Sequence, residues 1–151
     1  MRQSHGNNNF SESVSLTPVL NTVFHDDAND SDKSWSVQSN ESWYLNFVYV
    51  TLVSTATVGN RLITLEVIDE SSNVIISISA GTTQAASLTR KYGFLQGQYR
   101  EVSFVNDELQ VPLPMSLYIP AGYTLRVYDS AAVDAAADDM EVSFQVQKVV
   151  A

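Results

Sequence analysis

Few residues in this chain could do bond-making chemistry, and their types and spacing argue against it. The two histidines, His5 and His25, both fall in the polar first region. A histidine acts as a base only within hydrogen-bond reach of a positioned nucleophile or reacting group. The sequence has no G-x-S-x-G, no P-loop, no G-x-G-x-x-G and no H-E-x-x-H. It has no cysteine, so thiol chemistry, a cysteine zinc site and disulfides are all excluded. These residues read as a protein that is not an enzyme. Carboxylates cluster twice, as Asp26, Asp27, Asp30 and Asp32, and as Asp129, Asp134, Asp138, Asp139 and Glu141. Calcium takes its oxygens from closely spaced loop carboxylates, but neither set has EF-hand spacing. Both sets are expected to be solvated acidic loops, with no metal and no cofactor. Aromatic side chains could stack on a sugar, the candidates being Tyr92, Tyr99, Tyr118, Tyr123, Tyr128, Trp35 and Trp43. The same types favour pleated sheets, so core or sheet-face packing is the competing expectation.

Composition narrows the partners. The formal charge is -9, and the 8 basic residues are scattered. Binding nucleic acid or an anionic membrane needs clustered Lys and Arg, so neither is expected. No apolar run approaches the ~20 residues of a membrane helix. The N-terminus, MRQSHGNNNF, lacks the apolar segment of a secretory signal. With 151 residues, 44% of them hydrophobic, the chain is sized for one domain with a real core.

Trp43 to Asp69 organises the elements that would position any site. Two apolar runs rich in β-branched and aromatic residues flank a polar connection containing Gly59 and Asn60. They read as two paired strands and a turn. On the first, alternation puts Trp43, Leu45, Phe47, Tyr49, Thr51 and Val53 on one face and Tyr44, Asn46, Val48, Val50 and Leu52 on the other. Both faces are largely apolar. One is expected against an opposing sheet, the other against the N-terminal arm or another subunit. Residues 1–13 are polar and read as a flexible arm; 14–151 read as a single β-sandwich domain. Val14 to Leu20 is either the first strand of that sandwich or a docking strand. His25 to Ser34 reads as a solvated loop, and Trp35 to Gln38 as a short strand. Glu70 to Asn73 reads as a hairpin turn leading into Val74, Ile76 and Ile78. Ala85 to Leu95, Met115 to Ile119, Tyr123 to Asp129 and Val142 to Val146 complete the strands. Val111-Pro112-Leu113-Pro114 is expected to stay out of a sheet, because proline removes ladder donors. Ala131 to Met140 holds at most a short helical turn. About eight strands with close turn signals predict an all-β, jelly-roll-like sandwich, with an immunoglobulin-like sandwich as the alternative.

Three segments carry a resemblance: STATVGNRLITLEVIDESSNVI (Ser54 to Ile75), AGTTQAASLTRKYGF (Ala80 to Phe94) and LYIPAGYTLRVYDSAAVDAAADDMEV (Leu117 to Val142). Together they resemble small virion structural proteins encoded among the head genes of tailed bacteriophages. The resemblance implies a capsid decoration, or cement, protein on the head surface, assembled in the host cytoplasm as a trimer on the major capsid protein or another virion protein. A head–tail joining or tail-fibre component is the near alternative, and a carbohydrate-binding β-sandwich module the alternative of another class. The residues expected to touch a partner are Phe10, Val14 and Leu16 along the arm, with Val48 and Val50 on the doubly apolar strand.

Overall fold

The computed structural model describes residues 19–151. Ten strands follow in order: β1 Val19–Asp30, β2 Asp32–Ser36, β3 Glu41–Val53, β4 Ile63–Ile68, β5 Val74–Ser79, β6 Thr89–Gln96, β7 Glu108–Leu113, β8 Leu117–Ile119, β9 Thr124–Asp129 and β10 Asp139–Val150. One sheet has the order β1-β10-β3-β6-β7, with β8 also paired to β3; the other has the order β2-β9-β4-β5. The pairing is nested. β4 pairs β5, β3 pairs β6, β2 pairs β9 and β1 pairs β10, all antiparallel. A chain doubled back at the β4–β5 hairpin and rolled up gives this order, and it defines the jelly roll. Eight strands make the roll. β7 and β8 are additions within the connection from β6 to β9.

The core lies between the sheets and is filled by alternating residues. Leu65 and Val67, Tyr92 and Phe94, Leu125 and Val127, and Val142, Phe144 and Val146 are all buried. At one end Phe24 stacks on Phe144 at 4.7 Å, and Trp35 meets the same ring edge-on at 4.8 Å. Trp43 lies 5.0 Å from Phe24.

The doubly apolar character of β3 has a local cause. Its pairing with β10 slips between Gln145 and Val146, opposite Phe47 and Leu45, so Asn46 is an extra residue. A bulge of this kind resets the alternation. Trp43 and Leu45 point inward before it, and Val48, Val50 and Leu52 point inward after it. Two sequence registers therefore feed one core face. This corrects the expected partner role of Val48 and Val50: both are buried against the opposing sheet and have no surface to offer.

Other expectations also change. β3 and β4 do not pair; the Gly59-Asn60 connection carries the chain from one sheet to the other. His25 to Ser34 is not a loop but the end of β1 and the start of β2. Strand structure is possible there because Lys33 turns inward among the acidic residues. Its ammonium reaches Asp26 Oδ1 at 2.9 Å and the Asp27 carbonyl at 2.9 Å, and also contacts Asn29 Oδ1. Val111-Pro112-Leu113 is a strand after all. It sits at the rim, parallel to β6, where proline is tolerated. Phe10, Val14 and Leu16 lie outside the described residues.

Candidate interaction surfaces

At one end of the sandwich three loops are locked by a polar network. Arg61 and Asp138 are both fully buried and form a two-point ion pair, Nε to Oδ2 at 2.8 Å and Nη2 to Oδ1 at 3.0 Å. The remaining guanidinium hydrogens go to the Thr57 carbonyl at 2.8 Å, the Gly59 carbonyl at 2.9 Å and Thr55 Oγ1 at 3.1 Å. All five N–H donors of the side chain are satisfied. The Thr55 amide donates to Asp138 Oδ1 at 2.8 Å, and the Thr55 and Thr57 hydroxyls donate to Asp134 Oδ2 at 2.6 and 2.8 Å. Gly59 holds φ +147°, and a Cβ there would lie 2.7 Å from Val133 Cγ1, so the two loops touch backbone to side chain. Gln84, also buried, donates to the Leu52 and Leu88 carbonyls and accepts from the Tyr92 hydroxyl.

This network accounts for the second acidic cluster. Burial alone would raise the Asp138 carboxyl, but hydrogen bonds from Arg61 and the Thr55 amide, with the Arg61 charge, hold it below the usual carboxylate range. The Thr55 and Thr57 hydroxyls hold Asp134 low in the same sense. Asp129 accepts from the Leu62 amide at 2.7 Å and the Ala131 amide at 3.0 Å. Asp129, Asp134 and Asp138 are thus structural acceptors, not the solvated loop expected of them. Among the described residues no cluster of His, Asp and Glu is arranged to hold a metal.

One constellation resembles catalytic machinery. Ser143 Oγ lies 2.8 Å from His25 Nδ1, and His25 Nε2 lies 3.1 Å from Asp27 Oδ1. The group stands on the open outer surface of paired strands β1 and β10. A nucleophile there has backbone amides tied into the sheet ladder on either side, not converging donors for an oxyanion. The contacts pin side chains across a strand pair.

The two outer faces of the sandwich differ. The β2-β9-β4-β5 face is charged. Arg126 forms a two-point pair with Asp32 at 2.8 and 2.7 Å and lies 3.8 Å over the Tyr128 ring. The Tyr128 hydroxyl donates to Glu66 at 2.7 Å. A shallow groove there is lined by Asp30, Asp32, Glu66, Asp69 and Glu70 around Arg126.

The opposite face is nearly uncharged along its middle. The β3 bulge turns Asn46 and Phe47 outward together, followed by Tyr49. Tyr44 and Tyr118 are directly paired across β3 and β8, with ring centroids 5.1 Å apart. Phe47 and Tyr49 are 5.5 Å apart. Tyr49 is 50% and Tyr118 48% exposed. Beside this row, β10 places Gln147 opposite Tyr44, Gln145 opposite Phe47 and Ser143 opposite Tyr49. Asn46 Nδ2 donates to Gln145 Oε1 at 3.1 Å. On the other flank β6 places Leu95 opposite Phe47 and Gly93 opposite Tyr49, leaving a small slot between Tyr49 and Gln110.

The sheet edges differ as well. β7 carries Pro112 at its rim, and β2 and β5 are only 5 and 6 residues long. β1 runs for 12 residues, and its second half is broken by a bulge between Asp26 and Asp30. Its first half, Val19 to Phe24, is uncharged and, among the described residues, has none of these guards. Val19, Leu20 and Val23 there are more than half exposed.

Of the aromatic residues singled out in the sequence, Trp43 and Tyr92 are core. Trp35 and Tyr123 pack against the core, and Tyr128 lies beneath Arg126. Tyr99 is exposed on the loop before β7, and Tyr118 alone joins the outer row. Tyr44, Phe47 and Tyr49 were hidden by the bulge, whose one sequence sign is the polar Asn46 inside an apolar run. Arg61 and Gln84 were missed altogether.

No family model matches this chain, and neither does any curated protein. Solved structures give weak likenesses. An exo-β-agarase chain matches at TM-score 0.35 and 11% identity over 85% of this chain; this chain spans 23% of the agarase chain. A chain of turnip yellow mosaic virus matches at TM-score 0.31 and 8% identity, over 90% of this chain and 82% of that one. A chain of infectious bursal disease virus, Gx strain, matches at TM-score 0.31 and 13% identity, over 87% of this chain and 32% of that one. At these scores the likeness adds nothing to the strand order itself.

Proposed function

We propose that this chain is a non-enzymatic structural component of a virion, a decoration protein docked on the head surface of a tailed bacteriophage. The phage assignment rests on the resemblance of the three segments between Ser54 and Val142. The observation that supports a docking role is the unguarded first half of β1. Native sheets protect long edges with charge, proline, bulges or short length, because an open row of N–H and C=O groups recruits another strand. Val19 to Phe24 has exposed apolar side chains and leads directly from the segment that carries Phe10, Val14 and Leu16. A strand from the major capsid protein, or from a second copy in a trimer, would gain main-chain hydrogen bonds along this edge and register from alternate side chains.

The test is made on native particles. Purified virions should contain the chain in shell-like copy number, hundreds per particle; a dozen or fewer would assign it to a head–tail joint or a tail fibre instead. Val23→Lys places a charge on the edge without entering the core. This variant and a deletion of Met1 to Glu12 should fold normally and lose binding to particles lacking the protein. Full-strength binding by both would exclude edge docking, and light scattering that finds only monomer at high concentration would exclude the oligomer.

A further inference from the structure

We infer that the row Tyr118, Tyr44, Phe47 and Tyr49 on the outer face of β3 and β8 is a binding site for an uncharged oligosaccharide chain lying along β3. The site is distinct from the β1 edge, so it stands or falls independently of docking to a shell.

Three features select the ligand. The first is the row itself. Its rings form two close pairs, Tyr118 and Tyr44 at 5.1 Å across the strands and Phe47 and Tyr49 at 5.5 Å along β3, and two of the four rings are about half exposed. The C–H face of a sugar is apolar enough to stack on such a ring, while its hydroxyls still need partners. The second feature supplies those partners. Gln147, Gln145 and Ser143 run alongside on β10, each opposite one ring-bearing residue, and the Asn46–Gln145 hydrogen bond holds the central amides in place. Amides and hydroxyls both donate and accept, which is what ring hydroxyls require. The third is charge. In a chain of formal charge -9, the strip between β10 and β6 carries none from Tyr44 to Tyr49. A sulfated or uronic chain would find no cation opposite its acidic groups there, and a basic partner no anion. Charge begins on the far flank, where Gly93 leaves room beside Tyr49 over a slot lined by Gln110 and by Lys91 and Glu108, which face each other at 3.7 Å. A Cβ at Gly93 would lie 3.4 Å from the Tyr49 ring.

The experiment uses the full chain on an array of neutral linear glucans, galactans and mannans of six units, with sulfated and uronic chains of the same length as a second arm. Wild type should retain at least one neutral hexasaccharide and none of the acidic chains. Tyr49→Ala and Tyr118→Ala, each shown folded by far-UV circular dichroism, should each weaken that binding about tenfold. Arg126→Ala, on the opposite face, should leave it unchanged. No retention of any neutral chain at millimolar concentration would overturn the inference. So would preference for the acidic arm, binding insensitive to Tyr49 and Tyr118, or a requirement for Tyr49 in particle docking in place of glycan binding.

Discussion

The loop network at the end of the sandwich and the aromatic strip on its outer face treat their functional groups in opposite ways. Arg61 has every donor satisfied inside the protein, and Asp138 has both oxygens occupied. Nothing on that buried pair is left to meet a ligand. Tyr49 and Tyr118 touch one neighbouring ring each and present about half their surface to solvent. Charge and hydrogen-bonding power concentrated at one place look like chemistry in a sequence, yet here they hold loops together. The residues that look like filler in a sequence are the ones left open to solvent.

The network is where substitution should cost most. Arg61→Ala leaves Asp138 buried without its counter-charge, and breaking one partner of a buried pair costs about 3–5 kcal/mol. Urea unfolding should show a loss of that size. Replacing both partners, as Arg61→Met with Asp138→Leu, removes the stranded charge and should recover part of it, the remainder reflecting the Thr57 and Gly59 carbonyls and the Thr55 amide left without partners. If the single substitution costs under about 1 kcal/mol, the network is not what fastens these loops.

Acid should release the same network without mutation. The Asp138 and Asp134 carboxyls are held below their ordinary range in the folded protein by the hydrogen bonds already described. A carboxylate with a depressed folded pKa contributes stability above its unfolded value, about 3.9, and loses that contribution as pH falls through the lower folded value. The melting temperature should therefore change little between neutral pH and about pH 5 on account of these groups, then drop below about pH 4. Asp134→Asn should melt lower than wild type at neutral pH and converge with it in acid. A gap that stays constant down to pH 2 would mean that Asp134 carries no linked proton.

What the sequence made legible follows from how local the signals are. The β4–β5 hairpin is readable because Asp69 to Asn73 is a turn whose side chain caps its own backbone, Asp69 Oδ1 accepting from the Ser71 and Asn73 amides at 2.9 and 2.8 Å. The inward faces of β9 and β10 follow from simple alternation. The β3 faces do not, because one extra residue at Asn46 shifts the period halfway along. The strand pairing of β3 was also out of reach: its partners β6 and β10 lie far along the chain, while its sequence neighbour β4 joins the other sheet. The acidic clusters misled for a related reason. What decides whether Asp26 or Asp138 is solvated is a cation, Lys33 or Arg61, brought to it by folding.

The smallest expected effect on stability belongs to the strip, and its smallness is the point of the comparison. Tyr49→Ala removes one edge-on ring contact with Phe47, at 5.5 Å, from a solvent-facing position. Cross-strand and same-face contacts of this kind are worth roughly 0.2–1 kcal/mol, and surface changes away from caps, cores and buried pairs stay small. Tyr118→Ala should behave alike, since its one ring partner, Tyr44, keeps its own place in β3 through the buried Trp43 and Leu45 on either side. Each variant should therefore unfold within about 1 kcal/mol of wild type under conditions where Arg61→Ala loses several times that. If either tyrosine proves as costly as Arg61, the ring is a packing residue, and the strip belongs with the loop network as structure. If both are nearly neutral, these two aromatic side chains stand at the surface with no stability reason to be there, and a contact made outside the protein becomes the physical account of them.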